Sequence, residues 1–233
     1  MKILTFNLGH RRSTAREIVR ALGESEADVV ALQEVGPHHA VAIGMELARA
    51  YPHQVMDGLG IDGMGLLSRY PIVEHEFFTL SSPRAHLRVR LDADGRALEV
   101  LDVHAMVWVG FFGRVAPGAG DLTELAARAL ASSPAVLVGD LNTWPGSGVY
   151  RILERAGLRD AFADVSEAPG FTFPVFGRYR GLPLPPFLRL DYVWTTPDLC
   201  CVRAEVGRTA GSDHLPVLAE LAWADARDDE AGA

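Results

Sequence analysis

The run Ala135-Val136-Leu137-Val138-Gly139-Asp140-Leu141-Asn142 is where reading of this chain begins: a short apolar strand that delivers an acid and an amide at its C-terminal end. The same arrangement recurs along the sequence. Asn7 follows Ile3-Leu4-Thr5-Phe6, Glu34 follows Val29-Val30-Ala31-Leu32-Gln33, and His104 follows Leu101-Asp102-Val103. Asp213 and His214 precede a final apolar run, Val217 to Trp223. One polar residue after a strand is ordinarily a turn or a helix cap. Several carboxylates, two imidazoles and two amides at successive strand ends form a set. Its oxygen donors, with no cysteine among them, suit a hard cation such as Mg²⁺ or Mn²⁺, whereas zinc favours more nitrogen and sulfur.

Working outward, Lys2 to Asn7 reads as a buried strand. A helix is announced by Thr14 with Glu17 three residues on, with Ala15, Ile18, Val19 and Leu22 as its apolar face and Gly23 as its end. Asp28 to Gln33 is a second strand, and Ala40 to Ala50 a second helix. Between Leu66 and Val103 the pattern turns antiparallel: Leu87, Val89 and Leu91 alternate with Arg88 and Arg90, and Asp94-Gly95 makes a hairpin turn. Asp121 with Glu124 predicts a cap for a helix running to about Ala131; Gly148 to Ala156 is another helix, stopped by Gly157. Phe171 to Leu190, rich in Pro, Gly and aromatics, reads as a long loop, and Leu190 to Thr195 as a strand. Helices interleaved with strands, and hairpins besides, predict a mixed-sheet α/β (α+β) fold. No linker marks a boundary, so one domain is expected over residues 1–223, with 224–233 a disordered acidic tail.

Composition narrows the function classes. With 233 residues, 48% of them hydrophobic, the chain can bury a large core. No apolar run approaches the roughly 20 residues that span a bilayer, and the first residues do not form a signal peptide, so a cytoplasmic location is expected. Cys200 and Cys201 are sequence neighbours, which suits neither a disulfide nor a zinc site. The net charge of −8 argues against a broad basic surface for nucleic acid. Lys2 is the sole lysine, so anion contacts fall to arginines.

The segments carrying these residues resemble the endonuclease/exonuclease/phosphatase superfamily. In order they are Thr5-Phe6-Asn7, Leu32-Gln33-Glu34, Gly65 to Pro71, Asp102-Val103-His104, Gly139 to Asn142, Leu190-Asp191-Tyr192 and Gly211 to Pro216. The resemblance implies a four-layered sandwich, two mixed β-sheets packed face to face with helices on the outside and the site at one end. It implies metal binding by Glu34, with Asn7 beside it and Asp213 completing the site. Under the same resemblance His214 contacts the scissile phosphate, Asp191 orients it, Asp140 positions or deprotonates the attacking water, Asn142 hydrogen-bonds a phosphate oxygen and His104 lies near the leaving group. The expected function is metal-dependent phosphoester hydrolysis by in-line water attack; the alternatives are a DNA nuclease and an inactive phosphate-binding module.

Two unusual stretches, Met106 to Ala116 and Phe171 to Leu190, are expected to form an aromatic rim with Arg114, Arg178, Arg180 and Arg189 as anion contacts. That rim would select a small-molecule or lipid-like phosphoester over duplex DNA, although aromatics also stack on unpaired bases. His10, His38, His39, His53, His75 and His86 read as surface or loop residues, and Asp102 and Asp160 as turn or cap residues.

Overall fold

The computed structural model describes residues 1–9, 13–106, 119–175 and 185–224. In chain order the strands are β1 (Lys2–Asn7), β2 (Val29–Gln33), β3 (His53–Met56), β4 (Met64–Ser68), β5 (Ile72–Thr79), β6 (Ala85–Ala93), β7 (Arg96–His104), β8 (Ala135–Asp140), β9 (Arg159–Asp160), β10 (Asp191–Thr195), β11 (Leu199–Val206) and β12 (Val217–Trp223). The helices are α1 (Ala15–Glu24), α2 (Pro37–Glu46), α3 (Ala119–Ala131), α4 (Tyr150–Ala156) and α5 (Ala161–Val165), and a 3₁₀ turn spans Gly60–Asp62.

The strands make two six-stranded sheets, ordered β11-β12-β1-β2-β4-β3 and β5-β6-β7-β8-β10-β9. Each sheet is mixed for the same reason: it holds one parallel pair, β1 with β2 and β7 with β8, among antiparallel neighbours. Parallel neighbours end on the same side. The register Asn7↔Gln33 in the first pair and His104↔Asp140 in the second therefore sets the C-terminal ends of all four strands together.

Three apolar clusters define the layers. Ile3, Ala31, Val89, Val136 and Val193 fill the space between the sheets. Leu4, Phe6, Ile18 and Ile43 join the first sheet to α1 and α2, and Leu101, Leu125, Leu137 and Leu153 join the second to α3 and α4. Helices, sheet, sheet, helices is the four-layered arrangement that the family resemblance implies. Thr14 caps α1 by accepting from the Glu17 N–H, and Gly157 closes α4 with φ 100°, both as expected.

Several details differ. Gly23 lies inside α1, which runs on to Ser25 as its cap. α2 starts at Pro37, because proline at the first helical position needs no N–H partner. α3 starts before Asp121, whose carboxylate accepts hydrogen bonds from the Ser81 and Ser82 backbone across the chain and does not cap its own helix. Residues 225–233 of the expected tail lie outside the described residues, while the Ala224 N–H is tied to the Asp198 carbonyl. Among the described residues no helix is long and apolar enough to cross a membrane. Both cysteines are free and buried.

Candidate active site

The four strand ends of the parallel pairs converge on a cleft of about 340 Å³. Its acidic lining is Glu34, Asp140 and Asp213; its imidazoles are His104 and His214; Asn142 and Phe173 complete the wall near them. Glu34 reaches the cleft from a backbone with φ 54°, and Asn142 from φ 48°, a left-handed region that β-carbons disfavour. Such conformations persist where surrounding contacts hold them, and they concentrate at functional sites. At Asn142 two hydrogen bonds hold it: its N–H donates to Asp140 Oδ1 at 2.9 Å and its side chain donates to the Ala105 carbonyl at 3.0 Å.

Asp140 is buried at the centre of the set. Asn7 Nδ2 donates to its Oδ2 at 2.9 Å, and the Nε2 atoms of His104 and His214 lie 3.8 and 3.7 Å from the same oxygen. Burial pushes the Asp140 carboxyl up, the Asp191 charge adds to that, and His214 and His104 oppose it. His214 Nδ1 meets Asp191 Oδ2 at 2.9 Å, and Phe173 packs on the imidazole at 4.7 Å between ring centroids. Burial alone would lower His214, but Asp191 and Asp140 outweigh it and push it to about 10, so it carries charge at neutral pH. His104 goes the other way: burial and the Arg84 charge outweigh Asp140 and Glu34 and hold it below its ordinary value, as a neutral imidazole.

Three carboxylates around one small cleft form a donor set that fits a hard divalent cation. Asp140, Asp191 and His214 also offer ligand atoms within 4.8 Å of one another. In that trio Nδ1 of His214 is hydrogen-bonded to Asp191. A larger groove of about 920 Å³ lies beside α1 and the segment before β12 and shares Asp213 with the cleft. It gathers no comparable set of convergent groups, so the smaller cleft is the candidate site.

A family model for the endonuclease/exonuclease/phosphatase family matches residues 4–214. The chain belongs to that family. No curated protein sequence matches it. Among solved structures, the 3' phosphatase NExo from Neisseria bound to product DNA hairpin superposes with TM-score 0.77 at 20% identity, over 96% of this chain and 100% of the other. An endonuclease/exonuclease/phosphatase from Beutenbergia cavernae gives TM-score 0.73 at 23% identity, over 96% and 71%. A family protein from Leptotrichia buccalis gives 0.73 at 19%, over 96% and 100%. At these identities the likeness is one of fold.

Of the family-type residues expected from sequence, Asn7, Glu34, His104, Asp140, Asn142, Asp191, Asp213 and His214 all gather at this one place. Asn7 differs in detail. Its Oδ1 accepts the Gly9 N–H at 3.0 Å and its Nδ2 donates to Asp140 at 2.9 Å and to Glu34 at 3.5 Å, so its amide bridges the two carboxylates. Arg189 is not at the cleft: it is buried, paired with Asp160 at 2.6 Å, and packed against the Phe162 and Tyr192 rings. Arg114, Arg178 and Arg180 lie outside the described residues, as do His10 and most of the two aromatic stretches.

His39 and His86 are buried, not surface residues. His39 accepts from the Gly36 N–H at Nδ1 and meets Ser13 at Nε2, binding α2 to the start of α1. Because Nδ1 accepts, Nε2 carries the hydrogen, and this serine–histidine contact is a structural tie without a free base. His86, both ring nitrogens without a hydrogen-bond partner among the described residues, is held down to about 4 by burial. Asp102 is no turn residue; it sits between the sheets and accepts from Gln33 Nε2 at 2.6 Å. Asp160 caps α5, as expected. Sequence reasoning missed Arg84 and Ile61, which line the cleft. Arg84 just precedes a strand, so the strand-end pattern does not flag it.

Proposed function

We propose that this chain is a divalent-metal-dependent phosphoester hydrolase acting by in-line attack of water. The observation that carries the reading is the meeting, in one cleft, of a buried carboxylate with a raised pKa, a protonated imidazole and two further carboxylates. Glu34 and Asp213 would hold Mg²⁺ or Mn²⁺, with the Asn7 amide donating to both Glu34 and Asp140 and so offsetting their repulsion. When bound, the cation neutralises charge on the phosphoryl oxygens. Asp140 accepts a proton from the attacking water, a task its elevated pKa favours. His214, kept charged and oriented by Asp191, donates its Nε2 hydrogen to a non-bridging oxygen. Asn142 adds a side-chain donor, and the N–H of neutral His104 hydrogen-bonds the departing oxygen, which takes its proton from solvent.

We assign a small-molecule or lipid-like phosphoester as the substrate class. Supporting it, Ile61, Trp144, Phe171 and Phe187 are exposed apolar groups in segments that flank the cleft, and the net charge is −8. Nucleic acid is the second reading, motivated by the structural likeness to a protein bound to a DNA hairpin. A cytoplasmic setting accords with two free, buried cysteines. The deciding experiment is hydrolysis of a panel of mono- and diesters, phospholipids and plasmid, each with Mg²⁺, Mn²⁺ or chelator, by wild type and Asp140→Asn. We expect metal-dependent turnover of a small ester, little plasmid nicking, and a drop of roughly 10²-fold or more in the variant. Equal rates for the two proteins on every substrate would refute the assignment.

A further inference from the structure

The cleft contains a cation that no expected role uses. Arg84 lines it together with Glu34, His104, Asp140, Asp213 and His214. Arg84 is the one arginine among the described lining residues. Arg84 is tethered at one corner only. Its Nη1 donates to Asp62 Oδ1 at 2.9 Å and to the Ile61 carbonyl at 3.2 Å, and among the described residues Nε and Nη2 make no hydrogen bond. Half of the guanidinium fork is thus committed to the protein and half is left for an anion.

The tether itself is anchored to the metal side of the site. The Gly60 N–H donates to the Val35 carbonyl and the Val35 N–H to the Gly63 carbonyl, both at 2.9 Å, and Val35 follows Glu34 directly. A β-carbon on Gly63 would collide with the Val35 carbonyl oxygen, so only glycine permits this approach. On its other flank the turn is pinned by Asp57 Oδ1, which accepts from the Leu59 and Met64 N–H groups. Glu34 and Arg84 are in this way fixed to one another through the 3₁₀ turn.

Building on the hydrolase reading above, we propose that Arg84, positioned by Asp62, is the group that selects a terminal phosphate monoester over a diester. A monoester presents three non-bridging oxygens and, near neutral pH, close to two negative charges, while a diester presents two oxygens and one charge. The cleft would offer them three partners: a cation held by its carboxylates, the His214 imidazole and the free edge of Arg84. A planar fork held at one corner binds such an oxygen pair with little loss of freedom. Asp62 acts through Arg84 and is a positioning residue.

The test is calorimetric titration of the full chain, with Mg²⁺, against inorganic phosphate and dimethyl phosphate as the two probes. Wild type should bind phosphate more tightly. Arg84→Ala should lose roughly tenfold or more for phosphate and less than about threefold for dimethyl phosphate. Arg84→Lys, which keeps the charge and loses the fork, should fall between. Asp62→Ala should weaken phosphate in the same sense, and Asp62→Glu should restore it. Unchanged phosphate binding in Arg84→Ala, an equal loss for both probes, or no effect of Asp62→Ala would overturn the proposal. If either arginine variant is unfolded by circular dichroism, the Asp62 pair decides. Hydrolysis is measured separately: Arg84-dependent phosphate binding without turnover of any ester would sink the hydrolase reading and leave this one standing.

Discussion

His214 shows how much a single residue depends on the charges around it. Its folded value lies above the ordinary 6.5, so the charged form is fully present below that pH and is lost as pH rises through about 10. Removing the Asp191 charge takes away the strongest attraction while the burial remains, and the value must fall. Asp191→Asn should therefore move the alkaline limb of the pH–rate profile down toward neutrality, and an unmoved limb would show that His214 is not the group titrating. The chemistry-bearing residue types were legible in sequence because they sit at the ends of apolar runs. What stayed hidden was direction and burial. Nothing local announces that Gly9 turns the Asn7 amide, that Asp160 claims Arg189, or that His39, His86 and Asp102 are enclosed by segments remote in sequence.

At the level of elements, the site follows from two parallel strand pairs that end side by side. At Gly139 the strand β8 has no room for a side chain against β7: it has φ 131°, and a β-carbon there would overlap the Val103 carbonyl. Gly139→Ala should cost about 3 kcal/mol or more in thermal or denaturant unfolding. Gly148→Ala, where nothing lies within 4 Å, should stay within about 0.5 kcal/mol; a Gly139→Ala variant as stable as that control would refute the close-approach argument. The strands that supply the site were readable because they are buried on both faces and so continuously apolar. The reading included β5, whose pattern is mostly exposed, only within the antiparallel stretch Leu66 to Val103, and it passed over the four-residue β3, the two-residue β9 and β11, which is bulged between Cys201 and Arg203. Edge strands lack the periodic signal because only part of each is packed.

For the molecule as a whole, neither sheet is sufficient. The first sheet contributes Asn7 and Glu34, the second His104, Asp140 and Asp191, and the loop before β12 brings Asp213 and His214. Contacts between the halves hold them in place: Asn7 to Asp140 at the cleft, and Gln33 to Asp102 beneath it. The order of motifs along the chain made the sandwich legible, since each brings its own strand. The cleft's arginine was not, because Arg84 and the turn that holds it meet only once the two sheets are stacked. The central claim is that these separated groups enclose one cation beside one phosphate. Diffraction at the manganese edge from crystals grown with Mn²⁺ tests it most directly. The account predicts an anomalous peak bonded to Glu34 and Asp213 with the His214 to Asp191 hydrogen bond intact; a peak seated instead among Asp140, Asp191 and His214, or none in the cleft, would contradict it.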